Sequence, residues 1–357
     1  MAIDFVAILK SAVQKGASDI HILVGKPPML RILGEIVPLE GFAPLKAEET
    51  TPLIYSILFD QQRRKFEDKQ ELDSSFAVPG VARFRVNVLM GRQGIEAVLR
   101  VIGSTIPNPK DLGFTPVIEE LSKLARGLVL VTGPTGSGKT TTLAALIDLV
   151  NSTRKDHILT IEDPIEFVYE SKKCIVRQRE VGTTTQSFAN ALKAALREDP
   201  DVILVGELRD LETIQLAITA SETGHLVFAT LHTTDAPQTI DRIIDVFPPH
   251  QQQQVRIQLA SVLSAVVCQT LIPTADGKGR VAAREVMIVT PAISNLIREG
   301  KTHMIYNAID TGAKFGMMSL DKSLEDLVRA RVIKIDDALA KAKDPAKVKV
   351  AASGGAY

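Results

Sequence analysis

The chain has two cysteines, no tryptophan and only 4% aromatic residues, and its charge cancels, with 42 lysines and arginines against 42 aspartates and glutamates. Each shortage excludes something. Cys174 and Cys268 stand far apart with no C-x-x-C spacing, so neither a disulfide framework nor a tetracysteine zinc site can be built, and both read as inert thiols of a reducing compartment. Balanced charge gives no global positive field for nucleic acid, and sparse aromatics give no stacking platform for single strands. No run of about 18 apolar residues occurs, and Met1 to Lys10 carries Asp4 and no basic leader. Neither a membrane span nor a signal peptide is expected.

What is present is an octapeptide. Gly133-Pro134-Thr135-Gly136-Ser137-Gly138-Lys139-Thr140 is a full match to the phosphate-binding loop G-x-x-x-x-G-K-[ST]. Its glycines permit the tight turn and close backbone approach that a polyphosphate needs, so that successive N–H groups and a helix N-terminus surround the charge. Lys139 reaches the outer phosphates and Thr140 ligates Mg²⁺. The context fits: the apolar run Leu128 to Val131 precedes the loop, and Leu143, Leu146, Ile147 and Val150 follow at helical spacing. The substrate class is a nucleoside triphosphate.

At 357 residues the chain is long enough for two domains. Residues 1–102 read as a small α/β domain: Phe5, Ile8, Leu9, Ala12 and Val13 form a helical stripe ending at Gly16, and Asp19 to Val24, Met29 to Leu33 and Ala82 to Leu89 read as strands. Residues 103–114, rich in breakers, read as a linker. From 115 to 340 strands alternate with helices, the signature of a parallel sheet covered by helices. Strands are expected at Leu128 to Val131, Ile158 to Ile161, Val202 to Val205 and Leu226 to Ala229. Helices are expected over Thr140 to Val150, Ser187 to Arg197, Leu211 to Ala220, Gln251 to Val262 and Pro291 to Arg298. Residues 341–357, lysine-rich and then Ala/Ser/Gly-rich, read as a solvated, disordered tail.

Hydrolysis needs metal ligands and a group that positions water. The apolar strand Val202 to Val205 delivers Glu207 at its carboxyl end, where ligands gather in open α/β sheets. Glu207 is the candidate general base or holder of the metal's water. Glu162, Asp163 and Glu166 follow another apolar strand, and three carboxylates so close call for a cation. Glu166 is favoured for positioning water or metal, with a surface acidic turn as the alternative. His225 and His232 flank the run from Leu226 to Leu231 and are seven apart, without metal spacing. Each is either a hydrogen-bonded structural histidine or a sensor of the γ-phosphate. Arg83 and Arg85, two apart on a strand, share a face. With Arg100 they are either solvated or able to stabilise transition-state charge in a neighbouring subunit.

Together these segments resemble the type II/type IV secretion ATPases, and within them the type IV pilus retraction ATPases (PilT-like). The resemblance rests on Gly16 to His21, Arg83 to Asn87, Gly127 to Thr142, Leu159 to Val168, Arg197 to Thr213, Glu222 to Thr233 and Ala292 to Glu299. It implies an α/β architecture in which a RecA-like P-loop ATPase domain is preceded by a small PAS-like domain, and a homohexameric ring that binds ATP between them. By likeness Gly133 through Thr141 bind nucleotide, with Arg83 and Arg126 contributing. Glu162 to Glu166 form the Asp box, Glu207 is the Walker B glutamate, and His225 and His232 form the His box. Arg85 and Arg100 are the expected phosphate contacts. Mg²⁺ falls to Thr140, Glu162, Asp163 and Glu207, directly or through water.

The function implied is an ATP-driven motor that retracts pili, peripheral at the cytoplasmic face of the inner membrane and acting on a platform protein, with a paralogous retraction ATPase as a possible companion. The two cysteines and the start at the PAS-like segment favour retraction over assembly, as does the helix Ala292-Ile293-Ser294-Asn295-Leu296-Ile297-Arg298-Glu299. Its Ser294 replaces an arginine of the family pattern A-I-R-N-L-I-R-E. The alternatives are an assembly or auxiliary secretion ATPase, a nucleic-acid translocase and a nucleotide-gated scaffold.

Overall fold

Side-chain alternation in one half of the chain and continuous burial in the other produce two different sheets. The computed structural model describes residues 4–32, 34–103 and 105–352, with side chains to 349. The expected strand end at Leu33, Ser104 of the linker and tail residues 353–357 lie outside the described residues. Two units emerge: one runs to Thr105 and takes in Pro164–Val168, and the other comprises Ile106–Asp163 and Tyr169 onward.

The first unit opens with helix α1 (Phe5–Gln14). Asp4 caps it by accepting from the Ala7 N–H at 3.1 Å, and Phe5, Ile8, Leu9 and Ala12 form its buried stripe. Then follow β1 (Asp19–Ile22), β2 (Met29–Ile32), β3 (Glu35–Pro38), α2 (Ala47–Tyr55), α3 (Asp60–Lys69), β4 (Glu71–Val78), β5 (Ala82–Gly91) and β6 (Gly94–Ile102). The strands form one antiparallel sheet in the order β3-β2-β1-β6-β5-β4. Along β5, Phe84, Val86 and Val88 enter the core while Arg83, Arg85 and Asn87 take the other face.

The second unit contains α4 (Pro116–Glu120), β7 (Gly127–Thr132), α5 (Lys139–Thr153), β8 (His157–Glu162), β9 (Ile175–Glu180), α6 (Phe188–Ala195), β10 (Val202–Val205), α7 (Leu211–Glu222) and β11 (Leu226–Leu231). It continues with α8 (Ala236–Asp245), α9 (Pro249–Val262), β12 (Leu263–Pro273), β13 (Arg280–Ile288), α10 (Pro291–Arg298), α11 (Ile305–Asp310), α12 (Leu320–Arg329), α13 (Ile335–Leu339) and α14 (Pro345–Ala352). Sheet order is β13-β12-β7-β11-β10-β8-β9, parallel except for the β12–β13 pair. Every residue of β7, β10 and β11 is buried, as strands covered by helices on both faces require.

One expectation is corrected. The supposed tail carries α14, whose Val348 is fully buried in a cluster with Ile272, Leu324 and Ala338. A single well-placed valine docks this lysine-rich helix, and composition alone gives no sign of it.

Candidate active site

The carboxyl ends of the parallel strands meet at one edge of the second unit's sheet. Register places Thr132 of β7 beside Leu231 of β11, and Val205 of β10 beside Ala229 of β11 and Ile161 of β8. The phosphate loop, His232, Glu207 and Glu162 therefore emerge side by side, in the position where open α/β sheets bind ligands.

The loop turns through left-handed backbone at Gly136 and Gly138, with φ of 77° and 85°. At Gly133 the requirement is steric, since a Cβ there would lie 2.2 Å from the Gln269 carbonyl oxygen. The exposed tip is Pro134-Thr135-Gly136, while Ser137 and Lys139 are buried. Lys139 Nζ donates to the carbonyls of Gly133 at 2.8 Å and Pro134 at 3.1 Å, which holds the ammonium across the loop. Gly138 caps α5 without a side-chain acceptor, so the first-turn N–H groups around Thr140 and Thr141 face the loop. Ser137 Oγ is buried without a hydrogen-bond partner. A cationic, donor-rich cradle with an orphaned hydroxyl fits a polyphosphate.

Sequence reading missed the prop behind the loop. Gln269 of β12 is 3% exposed; its Nε2 donates to the Ser137 carbonyl at 2.7 Å and its Oε1 accepts from Thr142 Oγ1 at 2.8 Å. The available signal was a lone amide inside the apolar run Ala265 to Ile272.

Glu207 is gripped from two sides. Oε1 lies 2.9 Å from His232 Nε2, and Oε2 lies 2.7 Å from the Arg209 guanidinium. Burial resists ionisation of this carboxyl, but the hydrogen bond and charge of Arg209, and then His232, outweigh it and hold the group below its usual range. It is therefore ionised at neutral pH, as a proton acceptor must be. Arg209 was also missed, although it lies two residues after Glu207. Glu162 is buried and accepts from Thr160 Oγ1 at 2.6 Å and Gln178 Nε2 at 3.1 Å, whereas Asp163 is exposed.

Other candidates lie elsewhere. His225 and Arg126 stand at the amino ends of β11 and β7, where the Gly127 N–H donates to the His225 carbonyl. A six-residue strand spans roughly 20 Å, so the chain's own loop is out of reach of both. His225 Nδ1 instead contacts the Ala220 carbonyl at 2.9 Å and Thr223 Oγ1 at 3.2 Å, the structural alternative.

Glu166 falls in the segment that groups with the first unit. Arg83 is engaged there structurally, Nε donating to the Ile165 carbonyl at 3.0 Å and a terminal nitrogen to Ser75 Oγ at 2.6 Å. Arg85 and Arg100 sit directly opposite each other across β5 and β6, and Arg100 pairs with Asp19 at 3.0 Å. Like charges in register destabilise a sheet, and an anion would relieve that repulsion.

Helix α10 matches its expected bounds, with Ile293 and Ile297 fully buried. Ser294 Oγ donates to the Ala260 carbonyl of α9 at 2.7 Å and accepts from Arg298 at 3.1 Å. The residue that departs from the family pattern thus fixes α10 against α9.

Comparison with known proteins extends this picture. The chain is 54% identical to the type IV pilus retraction ATPase PilT of Pseudomonas aeruginosa, covering 96% of this chain and 99% of the relative. It is 41% identical to the type IV pilus ATPase PilU of the same organism, over 95% of this chain and 88% of the relative. Among solved structures it resembles the pilus retraction motor PilT with bound ADP, with a TM-score of 0.91 and 48% identity over 97% of this chain and 99% of that one. The Legionella pneumophila ATPase DotB gives a TM-score of 0.82 at 29% identity, covering 94% of each chain. The chain accordingly has a RecA-like ATPase fold. No helix among the described residues is long and apolar enough to cross a membrane. The model for type II/IV secretion system proteins matches residues 2–333, and this chain is an ATPase of that family.

Proposed function

We propose that this chain hydrolyses ATP to power type IV pilus retraction, as a homohexameric ring at the cytoplasmic face of the inner membrane acting on a membrane platform protein. The observation that carries this reading is the carboxyl edge of the sheet, with loop, Glu207 and His232 side by side, on a chain 54% identical to a retraction ATPase and 39% identical to a type II secretion protein E.

In this reading Lys139 and the loop from Gly133 to Thr141 hold the phosphates, and Thr140 would ligate the metal. Glu162, Asp163 and Glu207 would act on the metal directly or through water. Bound there, Mg²⁺ would neutralise charge on the transferring phosphoryl group. Glu207, already ionised, takes up or orients the attacking water's proton while His232 fixes its carboxylate. Glu166 is the second candidate for positioning water. Arg85 and Arg100 supply cationic charge toward phosphate. Work is drawn from rigid-body movement during the cycle.

Deletion of the gene, scored for surface pili and twitching, tests the direction of the motor. Hyperpiliated, non-motile cells are expected; bald cells would assign the chain to assembly. Retained motility would assign it to an auxiliary role beside a paralogue. Ser294→Arg is expected to leave ATPase activity unchanged and to alter twitching, and no change in either would dismiss a role for Ser294 in coupling.

A further inference from the structure

A cavity of about 630 Å³ in the second unit is lined by Glu285, Tyr306, Asp321 and Lys343, and Asp235 reaches the same lysine from outside that lining. Asp235 and Glu285 are 2% and 1% exposed. Two carboxylates are not buried together without a cation. Lys343 supplies it: Nζ lies 2.9 Å from Glu285 Oε2, 3.6 Å from Asp235 Oδ2 and 4.1 Å from the centre of the Tyr306 ring.

The lysine does not arrive by chance. Asp321 accepts from the backbone N–H groups of Lys343 at 2.7 Å and Asp344 at 2.9 Å, which fixes the turn that aims the side chain. Beyond it, α14 is docked by Val348.

Both carboxylates act on the turn that follows His232. Glu285 Oε1 accepts from the Ala236 N–H at 2.8 Å, and Asp235 Oδ1 accepts from the Gln238 N–H at 2.9 Å, so together they set the start of α8. Thr239 Oγ1 donates to the Asp235 carbonyl and contacts Thr233 Oγ1, both at 2.7 Å. Thr233 is covalently next to His232, and His232 holds Glu207. An unbroken series of short bonds runs from Lys343 to the hydrolytic pair.

We propose that Lys343 is a positioning residue for hydrolysis, holding His232 against Glu207 through Asp235 and Glu285. The C-terminal segment is then part of the machinery of turnover as well as a cover on the core. Removing the charge leaves two buried carboxylates opposed, and the start of α8 shifts to separate them. The phosphate loop is on another strand, so nucleotide binding is spared.

The inference rests on Glu207 being the hydrolytic residue, and the test separates the two ideas. Steady-state ATPase rates, ATP binding and melting temperature are measured on the purified full-length protein and its variants. Lys343→Met is expected to lower kcat about tenfold with KM unchanged within about twofold, since small displacements of catalytic groups are costly. Lys343→Arg retains most of the rate, and adding Glu285→Gln to Lys343→Met recovers kcat to within about threefold by removing the unpaired charge. If Lys343→Met does not fold, Asp321→Ala decides the matter, because it frees the turn while keeping the lysine and is expected to lower kcat about threefold. A kcat unchanged in the folded variants, with only the melting temperature reduced, overturns the proposal and leaves Lys343 as a structural tie. If Glu207→Gln turns over normally, the reading beneath it fails instead.

Discussion

His225 and His232 bracket the same strand, yet they have different company. His232, at the carboxyl end of β11, touches the Glu207 carboxylate; His225, at the amino end, touches the Ala220 carbonyl in the last turn of α7 and a threonine hydroxyl. Side-chain chemistry is identical, so the difference lies in strand direction. In a parallel sheet every strand ends at the same edge, and the turns there bring together whatever residues follow the strands. Topology gathers Thr132, Glu162, Glu207 and His232 at that edge as the candidate site. The opposite edge, with Arg126 and His225, receives the incoming chain and needs polar residues that tie helices to strand starts.

The strongest test of this contrast removes the acceptor at the carboxyl edge. Glu207→Gln keeps shape and loses basicity, and should reduce hydrolysis at least about 100-fold while ATP still binds, as read by single-turnover rate and equilibrium nucleotide binding. Should the variant hydrolyse ATP normally, Glu166 takes the role. Next in size, His232→Ala should lower kcat about tenfold, the cost of an acceptor no longer held in place. Gln269→Ala leaves the Ser137 carbonyl and Thr142 hydroxyl buried without partners, about 1–3 kcal/mol of penalty. It should show as weaker ATP binding with kcat less affected.

A smaller effect should appear in the pH profile. Arg209 holds the Glu207 carboxyl below its usual range against burial. A depressed carboxylate contributes stability that is present above its unfolded pKa and is lost as pH falls through its folded value. Activity that depends on the ionised form follows the same direction. Arg209→Ala should therefore move the acid limb of kcat upward, because the carboxyl loses the charge and hydrogen bond that offset its burial. An acid limb that stays in place would show that another group controls it.

The carboxyl edge was legible because its residues follow short apolar runs that read as strands: Val202 to Val205 points to Glu207, and the loop carries its own pattern. The amino edge was not, since strand direction in space is not a property of a local window. A spacing of seven between two histidines says nothing of which end faces the ligand. The β12–β13 pair was hidden for another reason. Helix α9 passes straight into β12 at Val262 and Leu263 with no glycine or proline between them, so the apolar residues run on while the period changes from helix to strand. Gln269 went with it. In the first unit, alternation made β5 readable, yet Arg83's hold on the Ile165 carbonyl, 82 positions away, is a tertiary fact.

The smallest expected effect comes from His225, and it bears most directly on the contrast. Its Nδ1 contacts join the end of α7 to the start of β11 at a half-exposed site, so His225→Ala removes about 1 kcal/mol of hydrogen bonding, a few degrees in melting temperature for a unit of this size. Hydrolysis should stay within about twofold of the parent, since nothing at the carboxyl edge moves. The alternative outcome is equally informative. A folded His225→Ala protein that binds ATP and cannot hydrolyse it would mean that the amino edge of one copy serves the site of another, because a six-residue strand of roughly 20 Å keeps it from its own. Mixing that variant with Glu207→Gln would then restore part of the activity, as neither defect would fall on every site of a mixed ring.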